Sequence, residues 1–127
     1  MKKNSAIADL LKVMAKLRSP TGCPWDREQS HMTLRRHAIE EVYELIDAIE
    51  ARDDHEMAEE LGDLLLQVVF HCQLARERGA FDFVAPPFER ETLGFVTRSA
   101  ALRTERRKDL AAPANLPIIY LGSVPRS

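Results

Sequence analysis

The chain has 127 residues, 45% hydrophobic and 30% charged, with a formal net charge of -2. A domain of this length buries roughly two thirds of its unfolded surface, which excludes a disordered chain, and the shortage of glycine and aromatics disfavours a β-sandwich. Cys23 and Cys72 stand far apart with no Cys-x-x-Cys pair, so a disulfide framework and a zinc ribbon are excluded; the expectation is a single all-α domain in a reducing cytosol.

Lys2-Lys3 imitates the start of an export signal, but Asp9, Lys12 and Lys16 interrupt the run that would have to be apolar. The most apolar stretch, Leu64 to Phe70, is broken by Gln67 and is too short to span a bilayer. A cytoplasmic protein with no membrane partner is therefore expected.

Ile7, Leu10, Leu11, Met14 and Leu17 recur at helical spacing behind Ser5, which predicts a first helix to about Arg18. Ser19-Pro20-Thr21-Gly22-Cys23-Pro24 reads as a loop. Asp26, with Gln29 three positions on, is the expected cap of a short second helix, and Trp25 stands at its mouth. Thr33 is the expected cap of a third helix with the stripe Leu34, Ala38, Val42, Leu45, Ile46 and Ile49, ending near Arg52-Asp53-Asp54. A fourth carries Met57, Leu61, Leu64, Leu65, Val68, Phe70, Cys72 and Ala75 and stops at Gly79. The short connection makes these last two helices an antiparallel hairpin, whose wide apolar surface calls for self-association. Beyond Ala85 the prolines crowd and no sustained helical period survives. Residues 1–83 thus form the expected domain and residues 84–127 a basic, proline-containing tail. Within that tail Thr92–Lys108 suits a basic helix and Leu116–Leu121 a short strand or disorder.

Charge is distributed unevenly. From His37 to Asp63 there are 11 acidic residues against the single base Arg52, about -10 within a chain that is basic elsewhere. On helices, Glu41 and Glu44 share one face, and so do Glu60 and Asp63. In a hairpin folded about position 52, Glu41 lies level with Asp63 and Glu44 with Glu60, so four carboxylates converge if the helix rotations agree. None of the four has a Lys or Arg at i±4, so the usual reading of such acids as a solvated, internally balanced face is weak here. All-oxygen ligands suit a hard cation, Mg²⁺ or Mn²⁺, whereas a di-iron bundle needs Glu-x-x-His motifs, of which only Glu28-x-x-His31 is present. Hydrolysis of a phosphate ester or anhydride is the chemistry such a site would support.

Glu40-Glu41-Val42-Tyr43-Glu44 followed by Glu60-Leu61-Gly62-Asp63 resembles the Glu-Glu-x-x-Glu and Glu-x-x-Asp motifs of the MazG family of all-α nucleoside triphosphate pyrophosphohydrolases. Gly22-Cys23-Pro24-Trp25-Asp26-Arg27-Glu28-Gln29, Leu64 to Phe70 and Phe81-Asp82-Phe83 extend the resemblance over roughly residues 5 to 83. It implies an antiparallel hairpin within a four-helix-bundle-like domain completed by homodimerisation or a higher homo-oligomer. It also implies Mg²⁺-dependent hydrolysis of nucleoside triphosphates to monophosphate and pyrophosphate. Glu41, Glu44, Glu60 and Asp63 would be the metal ligands, with Glu40 and Glu41 the candidate catalytic carboxylates, Glu40 either orienting the attacking water or a ligand or being only solvated. Lys16, Arg27 and Arg35 stand among the basic residues available to phosphates, Lys12, Arg18 and Arg36 being others, and Trp25 either stacks on a base or anchors the proline loop. Arg36-His37 replaces the Pro-Tyr pair expected before the acidic motif. The tail lacks the further helix and Arg-His-Pro segment of the family, for which a shifted reading frame is one source that the gene sequence tests. The competing reading is a non-catalytic, metal-binding dimerisation module; a nucleic-acid partner is not expected beside so acidic a centre.

Overall fold

The computed structural model describes residues 6–83, 94, 95 and 103. Two compact units divide the chain, Met1–Val96 and Thr97–Ser127, the second described only at the helical, exposed Arg103. The first unit contains α1 (Ala6–Leu17), α2 (Pro24–Glu28), α3 (Arg35–Ala51), α4 (Asp54–Glu77), β1 (Phe81–Asp82) and β2 (Gly94–Phe95). The all-α class holds, with one short parallel pairing, Phe81 opposite Gly94 and Asp82 opposite Phe95. Gly94 and Phe95 are thus extended where a basic helix was expected; the rest of the expected tail, apart from Arg103, lies outside the described residues.

On α1 the apolar stripe turns Met14 into the core, with Leu10 and Leu11 against the same cluster, and leaves Lys12 and Lys16 exposed. The last-turn carbonyls of α1 are closed by the loop that follows. Ser19 Oγ donates to the Lys16 carbonyl at 2.7 Å and the Cys23 amide to the Leu17 carbonyl at 2.9 Å. That wrap brings Gly22 so close that a Cβ would stand 2.2 Å from the Leu17 oxygen and 2.4 Å from the Lys16 oxygen.

Two helix starts differ from expectation. Asp26 lies inside the first turn of α2, because Pro24, with its fixed φ and no amide hydrogen, begins the helix behind Cys23. Thr33 does not cap α3; Leu34 precedes the first helical residue. The Thr33 hydroxyl is spent on a reciprocal turn in which the Ser30 amide donates to Thr33 Oγ1 at 2.8 Å and the Thr33 amide to Ser30 Oγ at 3.2 Å.

α3 ends in a left-handed Arg52 with φ 55°, and α4 starts at once from Asp53, whose carboxylate accepts the Glu56 amide at 3.0 Å. This two-residue joint folds α4 back along α3, while α1 packs across α4. Met14, Leu34, Val69, Phe70 and Leu74 form the buried cluster, supported by Leu65 and Phe83. The buried positions of α4 all fall between Val69 and Ala75, in its C-terminal half. Toward the Arg52 joint the hairpin is thinly covered: Val42, Ile49 and Leu61, expected inward, are exposed. Gly79, at φ +70°, ends the element as read from the sequence.

Candidate metal centre

Glu41 on α3 and Glu60 and Asp63 on α4 each offer a carboxylate oxygen within 4.8 Å of the others. Antiparallel pairing about the Arg52 joint puts Glu41 and Asp63 at one level, and the helical repeat sets Glu44 and Glu60 one turn nearer the joint. Glu44, exposed to solvent, is close enough to raise the proton affinity of both Glu41 and Glu60. The four acids thus share one small volume.

Their environment is poor for negative charge. Glu41 Oε2 and Glu60 Oε2 are buried with no hydrogen-bond partner. Desolvation is the main reason that the Glu41 carboxyl titrates above its ordinary range, reinforced by Glu44 and Asp63. Desolvation likewise leads for Glu60, followed by the Glu44 charge. Among the described residues, the ion pairs are Arg18–Glu77, His37–Glu40, His55–Glu59 and Arg76–Asp82; none involves these four acids. Hard oxygen donors, two of them dry and unpaired, fit a divalent cation such as Mg²⁺, which supplies the charge this site lacks.

The other residues singled out in the sequence lie on α1, α2 and α3 and are not part of the cluster. Glu40 faces His37, Oε2 to Nδ1 at 3.7 Å, and is largely exposed. Trp25 meets the His37 ring edge-on at 5.8 Å and the Phe70 ring at 6.4 Å, with about half its surface open at 52%. His37, whose ring the indole meets, precedes Glu41 by one turn of α3. Lys16 is exposed on the last turn of α1. Arg27 folds onto the Pro20 carbonyl and Arg35 onto the Met32 carbonyl at 3.0 Å, so both guanidinium groups are partly committed to their own backbone.

Three features escaped the sequence reading. Gln67 Oε1 is buried without a partner one turn beyond Asp63; the signal was a polar residue interrupting an apolar run. His31 and His71 stack at 5.1 Å with Nδ1 to Nδ1 at 2.8 Å, an encounter across 40 positions that no spacing announces. Arg18 looked like another surface base, yet its side chain is only 12% exposed and ties α1 to the Trp25 loop and to α4.

An all-helical hairpin with an unbalanced carboxylate cluster on its facing helices defines the class as an all-α domain with a candidate carboxylate metal site. Residues 29–85 match the model of the MazG nucleotide pyrophosphohydrolase domain. The chain is 63% identical over 73 residues to the nucleoside triphosphate pyrophosphohydrolase/pyrophosphatase MazG of Thermotoga maritima, covering 58% of this chain and 29% of that protein. It is 52% identical over 75 residues to the nucleoside triphosphate pyrophosphohydrolase of Escherichia coli K12, covering 58% and 28%. The protein of the same name from Mycobacterium tuberculosis is 43% identical over 81 residues, covering 64% and 24%. The chain spans less than a third of the length of these curated relatives.

Proposed function

We propose that the protein hydrolyses nucleoside triphosphates to the monophosphate and pyrophosphate, with Mg²⁺, or Mn²⁺ in its place, held by Glu41, Glu44, Glu60 and Asp63. The observation that carries this reading is the pair of buried, unpaired carboxylate oxygens of Glu41 and Glu60 in a cluster with Asp63. The relatives' names supply the reaction.

When bound, the cation neutralises the triphosphate and makes phosphorus easier to attack. Glu40, exposed beside the cluster and not one of the proposed ligands, accepts a proton from the attacking water, with Glu41 holding both ligand and water in register. Trp25, about half exposed beside His37, presents its indole to the base. Lys16, Arg27 and Arg35 supply positive charge to the phosphates.

The active form is a homodimer or higher homo-oligomer in the cytoplasm. Supporting this, Ile39, Val42 and Ile49 of α3 and Leu61 of α4 are exposed apolar side chains. No helix among the described residues is long and apolar enough to cross a membrane.

Pyrophosphate release from a panel of canonical and modified NTPs and dNTPs, with Mg²⁺ and with EDTA, tests the reading. Expected is metal-dependent pyrophosphate together with the matching monophosphate. A folded oligomer that binds Mg²⁺ and hydrolyses none of them overturns it in favour of a non-catalytic module.

A further inference from the structure

The proline loop is held by one side chain from outside it. Arg18 Nη1 donates to the backbone carbonyls of Asp26 at 2.7 Å, Arg27 at 2.9 Å and Gln29 at 3.2 Å. Its Nε and Nη2 donate to the two oxygens of Glu77, near the end of α4, at 3.0 Å and 2.6 Å. Every nitrogen of the planar fork is therefore engaged: one edge grips a carboxylate in a bidentate pair, and Nη1 shares its two hydrogens among three carbonyls of α2 and its end. The Arg18 side chain is 12% exposed, so the fork itself is largely shielded, while Glu77 keeps contact with water. Gln73 Nε2 donates to Glu77 at 3.2 Å and steadies the carboxylate from one turn away.

Those carbonyls belong to the turn that carries Trp25. The indole meets α3 and α4 edge-on through His37 and Phe70, with about half its surface in solvent. Two ring contacts do not fix the rotation of so exposed a side chain; the backbone beneath it must be held. Gln29 Nε2 donates to the Trp25 carbonyl at 3.0 Å, and the Gln29 carbonyl is itself held by Arg18, so a short chain of bonds runs from Glu77 to the backbone that carries the indole.

We infer that Arg18, braced by Glu77, is a positioning residue that fixes the Trp25 loop over the α3–α4 hairpin and thereby sets the pose of the nucleobase. Each nitrogen of its guanidinium already donates to a protein acceptor, which sets it apart from the bases offered to phosphate. The inference rests on the proposed reading of Trp25 as a base platform.

Trp25 is the single tryptophan of the chain, so intrinsic fluorescence reports on this loop alone. Arg18→Met and Glu77→Gln are compared with the full chain by helical circular dichroism, acrylamide quenching of Trp25, nucleotide quenching of Trp25, and steady-state kinetics. Expected for Arg18→Met are unchanged helix content, a red-shifted and more readily quenched emission, and KM raised about tenfold with kcat within about threefold. Glu77→Gln, which keeps a neutral acceptor, shows the same changes to a smaller degree, and Arg18→Lys, which keeps the charge but not the fork, follows Arg18→Met. If Arg18→Met does not fold, Glu77→Gln and Arg18→Lys decide. Unaltered Trp25 quenching in the folded variants overturns the clamp. A moved emission with kcat falling and KM unchanged overturns the link to substrate pose, as does a wild-type protein that turns over NTPs that do not quench Trp25. Absence of turnover in the wild type, with the emission still moved by Arg18→Met, leaves a loop clamp and removes the proposed reaction.

Discussion

The two ends of α4 treat charge in opposite ways. Near its C-terminal end, Glu77 is answered twice by Arg18 and once by Gln73, and its carboxyl is held below the usual range, chiefly by the Arg18 hydrogen bond. Near its N-terminal end, Glu60 and Asp63 face Glu41 and Glu44, with two buried oxygens unanswered and the proton affinity of Glu41 and Glu60 raised. The same helix contains a carboxylate that stabilises the fold and carboxylates that oppose it. A charge whose partner lies in the chain serves architecture; a cluster whose partner is missing is a site for something from outside.

Removing an acid should therefore have opposite consequences at the two ends. At the cluster, Glu41→Gln or Asp63→Asn should cut Mg²⁺-dependent turnover on the order of 10²–10³-fold, since a lost ligand weakens a Lewis-acid contribution of several kcal/mol. In EDTA the same variants should melt at or above the wild-type temperature, because a repulsive partner has gone. Differential scanning fluorimetry with and without Mg²⁺ checks the pair of outcomes. Variants that melt well below wild type in EDTA would show that these acids support the fold and would break the contrast.

The loop side is tested by its tightest approach. In Gly22→Ala the new Cβ meets the backbone oxygens of Lys16 and Leu17, which cannot swing aside as a side-chain tip can. A loss of about 1–3 kcal/mol is expected in denaturant unfolding, since the loop must shift off the end of α1. Trp25 emission should move with it while Mg²⁺ binding at the cluster is retained.

Legibility in the sequence followed the range of the interactions. α1, the hairpin and its joint could be read because helical periodicity and the Gly79 stop are local signals, although Asp53 as the cap of α4 was not read. The carboxylate level could be read because a two-residue joint fixes the register of both helices, and helix rotation alone was left open. Asp26 and Thr33 were misread as caps because the competing features, Pro24 at a helix start and the Ser30–Thr33 turn, satisfy the same backbone groups by another route. Val42, Ile49 and Leu61 fit the apolar period and yet are exposed, since period fixes a face and says nothing about what covers it. Arg18–Glu77, 59 positions apart, leaves no periodic trace at all.

The smallest expected effect lies between the two ends, at His31 and His71. With Nδ1 atoms 2.8 Å apart, one neutral ring donates and the other accepts, and protonating the accepting Nδ1 would set two N–H donors against each other. His31 Nε2 is buried and unpaired, so the less costly arrangement has His31 donating through Nδ1 and its Nε2 bare, an unsatisfied acceptor being more tolerable than an unsatisfied donor. Desolvation, with the His31 charge as the lesser cause, lowers the His71 pKa below its ordinary value of 6.5. The unfolded chain then takes up a proton as pH falls through 6.5 while the folded chain does not, so stability is retained above that pH and declines on acidification. Glu41 and Glu60, raised in the fold, act in the opposite sense as they gain protons. The informative quantity is therefore the difference between wild type and His71→Gln, in which the carboxylate contribution cancels. Urea unfolding between about pH 7 and 5.5 should show wild type losing stability relative to the variant. Parallel profiles would mean that the histidine pair takes up its second proton as readily in the fold as in the open chain.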